Sequence, residues 1–292
     1  TRLDGVTGVQ TCALPISADV FMRFGKLGAI EDATVDASVE AGRLIVDGET
    51  RTLDGALLKA QYVPARDLLV FEKLEGTAAG ARIQASGQIS SPMVMFGRVS
   101  RYEASAFQVN APVVVWTTPR DKMWAAAKTG EIRNLNIRGQ IFRNADRIVV
   151  ENFSANLDRG TLKLSGEAKR GAVGKTKDAY SIKARGAVTG PVSVDSVLAF
   201  WPPPVAKGAR EWVGQSIRAG EITSASLDTN ISAAAIADKR VPDSALNLKF
   251  AFEQGAMIPY EGGFLIEGAR GSARLGGDSF KLVGNGRSGS VI

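Results

Sequence analysis

Three features of the chain have residue types and spacings that could do chemistry. Gly284-Asn285-Gly286-Arg287-Ser288-Gly289 satisfies the G-x-G-x-x-G pattern of dinucleotide loops. That pattern works only where the loop opens a helix whose N-terminus faces the pyrophosphate, with an acid about 20 residues on. Here a strand precedes the glycines and no helical pattern follows, so they read as a turn. Gly174-Lys175-Thr176 resembles the end of a phosphate loop, but Lys169 stands where its first glycine is needed. Tyr180 to Val188 then reads as a strand, whereas phosphate binding needs a helix N-terminus. Glu31/Asp32, with Asp36 and Glu40 nearby, could in principle act as a general acid and base. Nothing in the pattern places them in a pocket, and they read as a solvated strand face.

What is absent narrows the chemistry further. The 292 residues contain no histidine and one cysteine, Cys12. Ser-His-Asp and Cys-His nucleophiles, histidine-bearing zinc sites and a disulfide framework are therefore excluded. Dense Asp/Asn/Gly loops that would bind a hard cation are missing too. We expect no catalytic residues, no metal and no cofactor; an enzyme acting on envelope glycans through carboxylates is the remaining catalytic alternative.

Val6 to Ile16 match, over eleven consecutive residues, the translation of a common short-read sequencing adapter. Residues 1–17 are accordingly expected to be a non-native, adapter-derived segment. Cys12 belongs to it, so the natural segment would lack cysteine as well as histidine. The natural protein is expected to extend upstream of Ala18.

The 36 basic residues outnumber the 30 acidic ones, giving a net charge of +6. The cations are interleaved with apolar residues and mixed with acids. No cluster of Lys/Arg with aromatics offers a stacking platform, so no nucleic-acid partner is expected. A mildly basic outer face beside anionic lipid suits the pattern.

The elements that would position any site are strands. Apolar content is 45%, enough for a core, and the 32 glycines are spread along the chain as expected for many tight turns. Alternation with period two dominates. It puts Ile83, Ala85 and Ile89 on one face, then Leu162 and Leu164, then Ile182, then Leu246, Leu248, Phe250 and Phe252. Polar partners such as Lys163, Lys183 and Lys249 fall on the other side. Such strands suit an antiparallel sheet with one wet face.

The chain also repeats itself. Residues 67–88 align without gaps on 146–167, with Asp67/Asp146, Val70/Val149, Glu72/Glu151, Ser86/Ser165 and Gly87/Gly166 identical. A looser third copy runs from Leu265 through Glu267 to Leu282, and Gly130-Glu131-Ile132 recurs as Gly220-Glu221-Ile222. Stacked strand units of this kind predict a mostly β fold: an extended, curved antiparallel sheet or β-groove with two short helices. The expected regions are 18–110, 111–190 and 191–292. One helix is predicted from Thr118 to a stop at Gly130. A second follows Pro204, with Ala209, Trp212, Val213 and Ile217 as its apolar stripe and Gly220 as its stop. That helix reads either as a basic amphipathic element at a membrane surface or, better, as a cap on the open end of the sheet.

The stretch Ala199 to Val213, with Trp201-Pro202, Ala209-Arg210, Trp212 and then Gly220-Glu221-Ile222, resembles the aromatic-Pro/Ala-Arg-x-Trp/Gly signature of the AsmA-like superfamily, YhdP branch. Asn247 to Gly289 is similar to that family in strand and turn pattern. The likeness is clearest from Val192 to Gly289, and this chain carries three prolines where the family often has one. The resemblance implies a periplasmic protein of a Gram-negative bacterium, anchored in the inner membrane by a helix upstream. It implies a groove that carries phospholipid toward the outer membrane, and it brings no catalytic residues. The partners would be phospholipid acyl chains, lining Ile83, Ala85, Ile89, Leu162, Leu164, Ile182, Leu246, Leu248, Phe250 and Phe252. The alternative is an envelope structural or assembly protein in which the same residues form a closed, dry core.

Overall fold

The computed structural model describes residues 9–11, 16–26, 30–46, 49–78, 81–95, 102–117, 129–173, 177–201, 207–238, 240–260 and 262–288. The protein is mostly β, with one curved, unclosed antiparallel sheet. Its N-terminal part comprises β1 (Val9–Thr11), β2 (Ile16–Phe24), β3 (Ile30–Val39), β4 (Gly42–Val46) and the long β5 (Glu49–Val63). β3 and β4 share one edge of β5: Val39 to Ala33 pair with Ala56 to Tyr62, and Gly42 to Val46 pair with Leu53 to Glu49. β2 extends the sheet beyond β3, and β1, the described part of the adapter-like segment with Ile16 and Ser17, pairs with β4.

From β5 onward the chain is an up-and-down meander. It continues through β6 (Leu68–Ala78), β7 (Ala81–Ser90), β8 (Ala104–Thr117), β9 (Thr129–Phe142), β10 (Arg147–Leu157) and β11 (Gly160–Val173). It then runs through β12 (Lys177–Ser193), β13 (Ile217–Ile231), β14 (Leu246–Met257), β15 (Ile266–Leu275) and β16 (Phe280–Ser288). Each strand pairs with the next. β8 runs on through Asn110 and Ala111, and β12 runs on through Gly190 and Pro191 even though its pairing with β13 shifts register there, so the three expected native regions lie in a single sheet. Gly284 and Gly286 lie within β16, which removes the helix a dinucleotide loop would need.

The sequence repeat is a structural unit. β6/β7 and β10/β11 are equivalent hairpins, each entered by a 3-10 turn, Pro64–Arg66 and Arg143–Ala145. Each breaks register at the same place, between Phe71 and Leu74 in one and between Val150 and Phe153 in the other. Each is tied off alike, the Ser91 amide donating to the Asp67 carbonyl and the Arg170 amide to the Asp146 carbonyl. β15/β16 carries a comparable bulge beside Glu267. Bulges add local twist and bend to a strand, so a bulge recurring in each unit curls the sheet.

Close approaches of large side chains to glycines deepen the curl. A Cβ on Gly139 would stand 3.0 Å from Phe107 Cζ, and one on Gly271 would stand 3.0 Å from Phe252 Cζ. Gly87 faces the Phe71 ring and Gly186 faces Leu164 in the same way. A bulky group on one strand thus lies over a bare backbone on its neighbour, which lets the inner surface contract.

Among the described residues three α-helices interrupt the meander: α1 (Val194–Phe200), α2 (Lys207–Ser216) and α3 (Ala233–Ala237). α1 and α2 connect β12 to β13 at the rim that also carries the Asp158-Arg159 turn, here called the upper rim. α3 lies at the opposite rim, with its Ala233 against Gly171.

The helix predictions need correction. Thr118 and most of the first predicted helix lie outside the described residues, while Gly130 is the second residue of β9. The second helix ends at Ser216, and Ile217 opens β13 instead of completing the helical stripe. Gly220 does not stop the helix. It sits inside β13 at φ +147°, against the Gly255 Cα, where register breaks between Ala219 and Glu221. That left-handed backbone at a bulge is the physical reason for a glycine there. α1 was not anticipated.

A candidate apolar trough

Cross-strand register decides which side chains share a surface. Ile83 pairs with Val114, and Val114 with Ile132. Phe153 pairs with Leu164, Leu162 with Val188, and Ala168 with Ile182. Val188 then pairs with Ala225, and Ala225 with Phe250. Leu246, Leu248 and Phe252 follow the same alternation. All ten residues predicted to line a groove therefore lie on one face of the sheet, which the buried clusters on it mark as the concave face. Ala85 joins Ala111, Leu135 and Ala155 in one buried cluster, bordered by Ile83, Leu74, Val109 and Phe153. Phe252 joins Met257 and Ala269 in a second, bordered by Phe250.

Burial along this face is incomplete. Ala85 and Phe252 are buried, Ile182 is 37% exposed, and Ile83, Ile89, Leu162, Leu164, Leu246, Leu248 and Phe250 are half-buried. No second sheet lies over them among the described residues. A sheet normally buries its apolar face on another layer; here the face is a trough whose walls are the sheet's own curvature.

The convex face is polar and mostly charge-matched across strands. Lys59 bridges Asp36 at 2.8 Å, Arg147 bridges Glu167 at 2.8 Å, and Arg185 bridges Asp228 at 3.2 Å. Arg147 holds the Glu167 carboxyl below its usual value, principally through their hydrogen bond. Asn152 Nδ2 donates to Asn136 Oδ1 at 3.1 Å, and Asn136 donates in turn to Asn110, forming an amide ladder over β10, β9 and β8.

The upper end of the trough is spanned by α1 and α2. On one wall, Phe200 and Ala199 of α1 pack over Gly130 of β9, whose register with Trp116 places it on the concave face. The Trp212 ring of α2 lies 5.4 Å from Phe280 of β16, which shares the face of Leu275 and Leu248. Leu198, Ala199 and Val213 are buried in this plug.

Local chemistry fixes the plug. Ser193 caps α1, its Oγ accepting from the Ser196 amide at 3.2 Å. Asp158, in the β10–β11 turn, accepts from the Ser193 amide, the Ser193 hydroxyl and the Ser196 hydroxyl, each at 2.8 Å. Burial pushes this carboxyl up, but those donors and nearby Arg159 outweigh it and hold it below the usual value. Arg210 is 5% exposed, and its Nε donates to the Trp201 carbonyl at 3.1 Å, satisfying the C-terminal end of α1. Trp212 Nε1 donates to the Pro259 carbonyl at 3.1 Å.

The signature residues are thus distributed by role. Trp201 follows α1 and accepts from Arg210 of α2, Trp212 ties α2 to Pro259 and Phe280, Ala209 lies in α2, Gly220 sits at the β13 bulge, and Pro202 lies outside the described residues. The one sequence signal for α1 was Ser193 followed by Asp195 in the first turn, a helix start that the strand alternation around it obscured.

Glu31, Asp32, Asp36 and Glu40 line no enclosed cavity; Asp36 is engaged with Lys59 on the open strand surface. Among the described residues no three His, Cys, Asp or Glu groups are placed to hold a metal ion, and no helix is long and apolar enough to cross a membrane. No protein-family model matches the chain, and no curated protein or solved structure matches it.

Proposed function

We propose that this chain is a section of a periplasmic, inner-membrane-anchored conduit in which the apolar trough carries phospholipid acyl chains toward the outer membrane. The observation that supports it is an apolar concave face, running from β5 to β16, left half-exposed with no second sheet over it among the described residues. Each acyl methylene laid on such a face gains about 0.8 kcal/mol relative to water. The contacts are nondirectional and repeat strand after strand, so a lipid slides along them without lodging. No side chain is required to titrate, and the reading is of a non-enzymatic protein of the AsmA-like kind that the sequence resembles.

The test is photo-crosslinking in an envelope preparation. A photoreactive residue at Leu164 or Phe250 captures phospholipid, and one at outward Lys163 or Lys249 does not. Equal labelling from both faces, or none from Leu164 and Phe250, overturns the reading. A second reading, an envelope scaffold with no lipid cargo, is favoured by the plug across the upper end, and the same absence of capture would select it.

A further inference from the structure

The convex face opposes cations directly at several places, Lys59 with Lys73 and Arg147 with Lys169 among them, and on the last three strands it does so with no carboxylate bridge among the described residues. Lys249 of β14 pairs directly with Arg274 of β15, and Arg274 with Lys281 of β16. The same row continues through Ser226 and Ala187 to Lys163 without an acid. Lys249, Arg274 and Lys281 are exposed, and none has a salt-bridge partner within 4 Å among the described residues. Neighbouring strands sit about 4.8 Å apart, so the three cations span roughly 10 Å. Like charges directly opposed across strands are destabilising. On the same face Lys59, Arg138, Arg147 and Arg185 are each met by a carboxylate.

Other charges around the row offset it only in part. Asp243, in the β13–β14 connection, lies within electrostatic reach of Arg274. Its Oδ1 accepts the Asp278 amide at 2.7 Å and so is engaged in the turn below. Asp228 is paired with Arg185, and Arg270, a further cation on β15, donates to Asn285 at 3.3 Å. In the next row outward, the place opposite Ser272 is taken by Val283, an apolar side chain 58% exposed. Three opposed cations beside an exposed valine, on the last strands of an open sheet, match a surface that is anionic at its face and apolar just beneath.

We propose that the convex face of β14–β16, centred on Lys249, Arg274 and Lys281, docks on the headgroups of an anionic phospholipid bilayer. The repulsion built into the row is relieved by lipid phosphates, and Val283 reaches the acyl boundary. This surface is on the opposite face from the trough, so its failure leaves the crosslinking result at Leu164 and Phe250 untouched.

The experiment is co-sedimentation of the full chain with vesicles of pure phosphatidylcholine and of phosphatidylcholine containing about one third phosphatidylglycerol. Binding is expected only to the anionic vesicles and falls with added salt. Each juxtamembrane cation contributes about fivefold in affinity, so the K249Q/R274Q/K281Q triple variant should lose roughly 100-fold. K163Q, in the same row but with two strands between it and the cluster, should bind like the unaltered protein. K281E supplies the control for folding: it should melt at a higher temperature while binding less. Equal binding to neutral vesicles overturns the proposal. Undiminished binding by the triple variant overturns it too, as does binding lost equally in K163Q.

Discussion

Gly130 of β9 and Phe200 of α1 meet at the upper end of the trough. A Cβ on Gly130 would stand 2.7 Å from Phe200 Cε2 and 3.0 Å from the Ala199 Cβ. Gly130→Ala should therefore destabilise the protein by about 1–3 kcal/mol through overpacking. In a Phe200→Ala background the same change should cost less, because the residues are coupled through direct contact. Urea titration of the two single variants and the double variant measures this, and strictly additive costs would show that the plug does not seat on β9.

Asp158 gives the plug a pH dependence whose sign can be stated. Its carboxyl titrates below the usual carboxylate value when folded. A depressed folded value means a stabilising contribution that is full above the unfolded pKa and lost as pH falls through the folded one. Asp158→Asn should be less stable than the unaltered protein at neutral pH. The gap should stay constant down to about pH 5 and close below about pH 3.8. Denaturant titrations across that range check it, and a gap that widens on acidification would contradict the assignment.

Arg210 is buried with its Nε on the Trp201 carbonyl. Arg210→Met keeps the stem's volume but strips the donor from a buried carbonyl, and should cost about 1–3 kcal/mol. Arg210→Lys should not restore it, because an ammonium cannot reproduce the guanidinium's planar fork. Thermal melts of the two variants distinguish this from a purely apolar role for the stem.

An open trough and a sealed core respond differently to truncation. Leu198, 2% exposed in α1, should lose about 2–5 kcal/mol on Leu198→Ala. Leu164 is half-buried on the concave face, so Leu164→Ala should cost less, about 1–2 kcal/mol. Equal costs at the two positions would mean that the trough is covered in solution.

Much of the sheet was legible before any coordinates. Alternation at Ile83, Ala85 and Ile89, or at Leu246 to Phe252, assigns a face because strand side chains alternate strictly. The 79-residue repeat was readable because Asp67 and Asp146 each accept the amide that ties off their hairpin, and Gly87 and Gly166 each lie against a backbone carbonyl of the next strand. The helical segment was less legible. Ile217 and Gly220 fit a helix period and a helix stop equally well as they fit a strand start and a bulge, and local pattern does not choose between them. Pairing with Met257 and the close approach to Gly255 makes that choice, and both partners lie far along the chain.

By itself, then, the sequence determined that this protein is a mostly β antiparallel sheet of repeated strand units with one apolar face and no histidine-based or disulfide chemistry. Residue types and period-two spacing are local properties that need no fold to express them. Only the tertiary structure decided that the apolar face curls inward yet stays open, and that α1 and α2 close one end of it. Those outcomes depend on which residues meet across strands. Phe107 lies over Gly139 and Phe252 over Gly271, and each contact is set by a register between strands that no local pattern specifies.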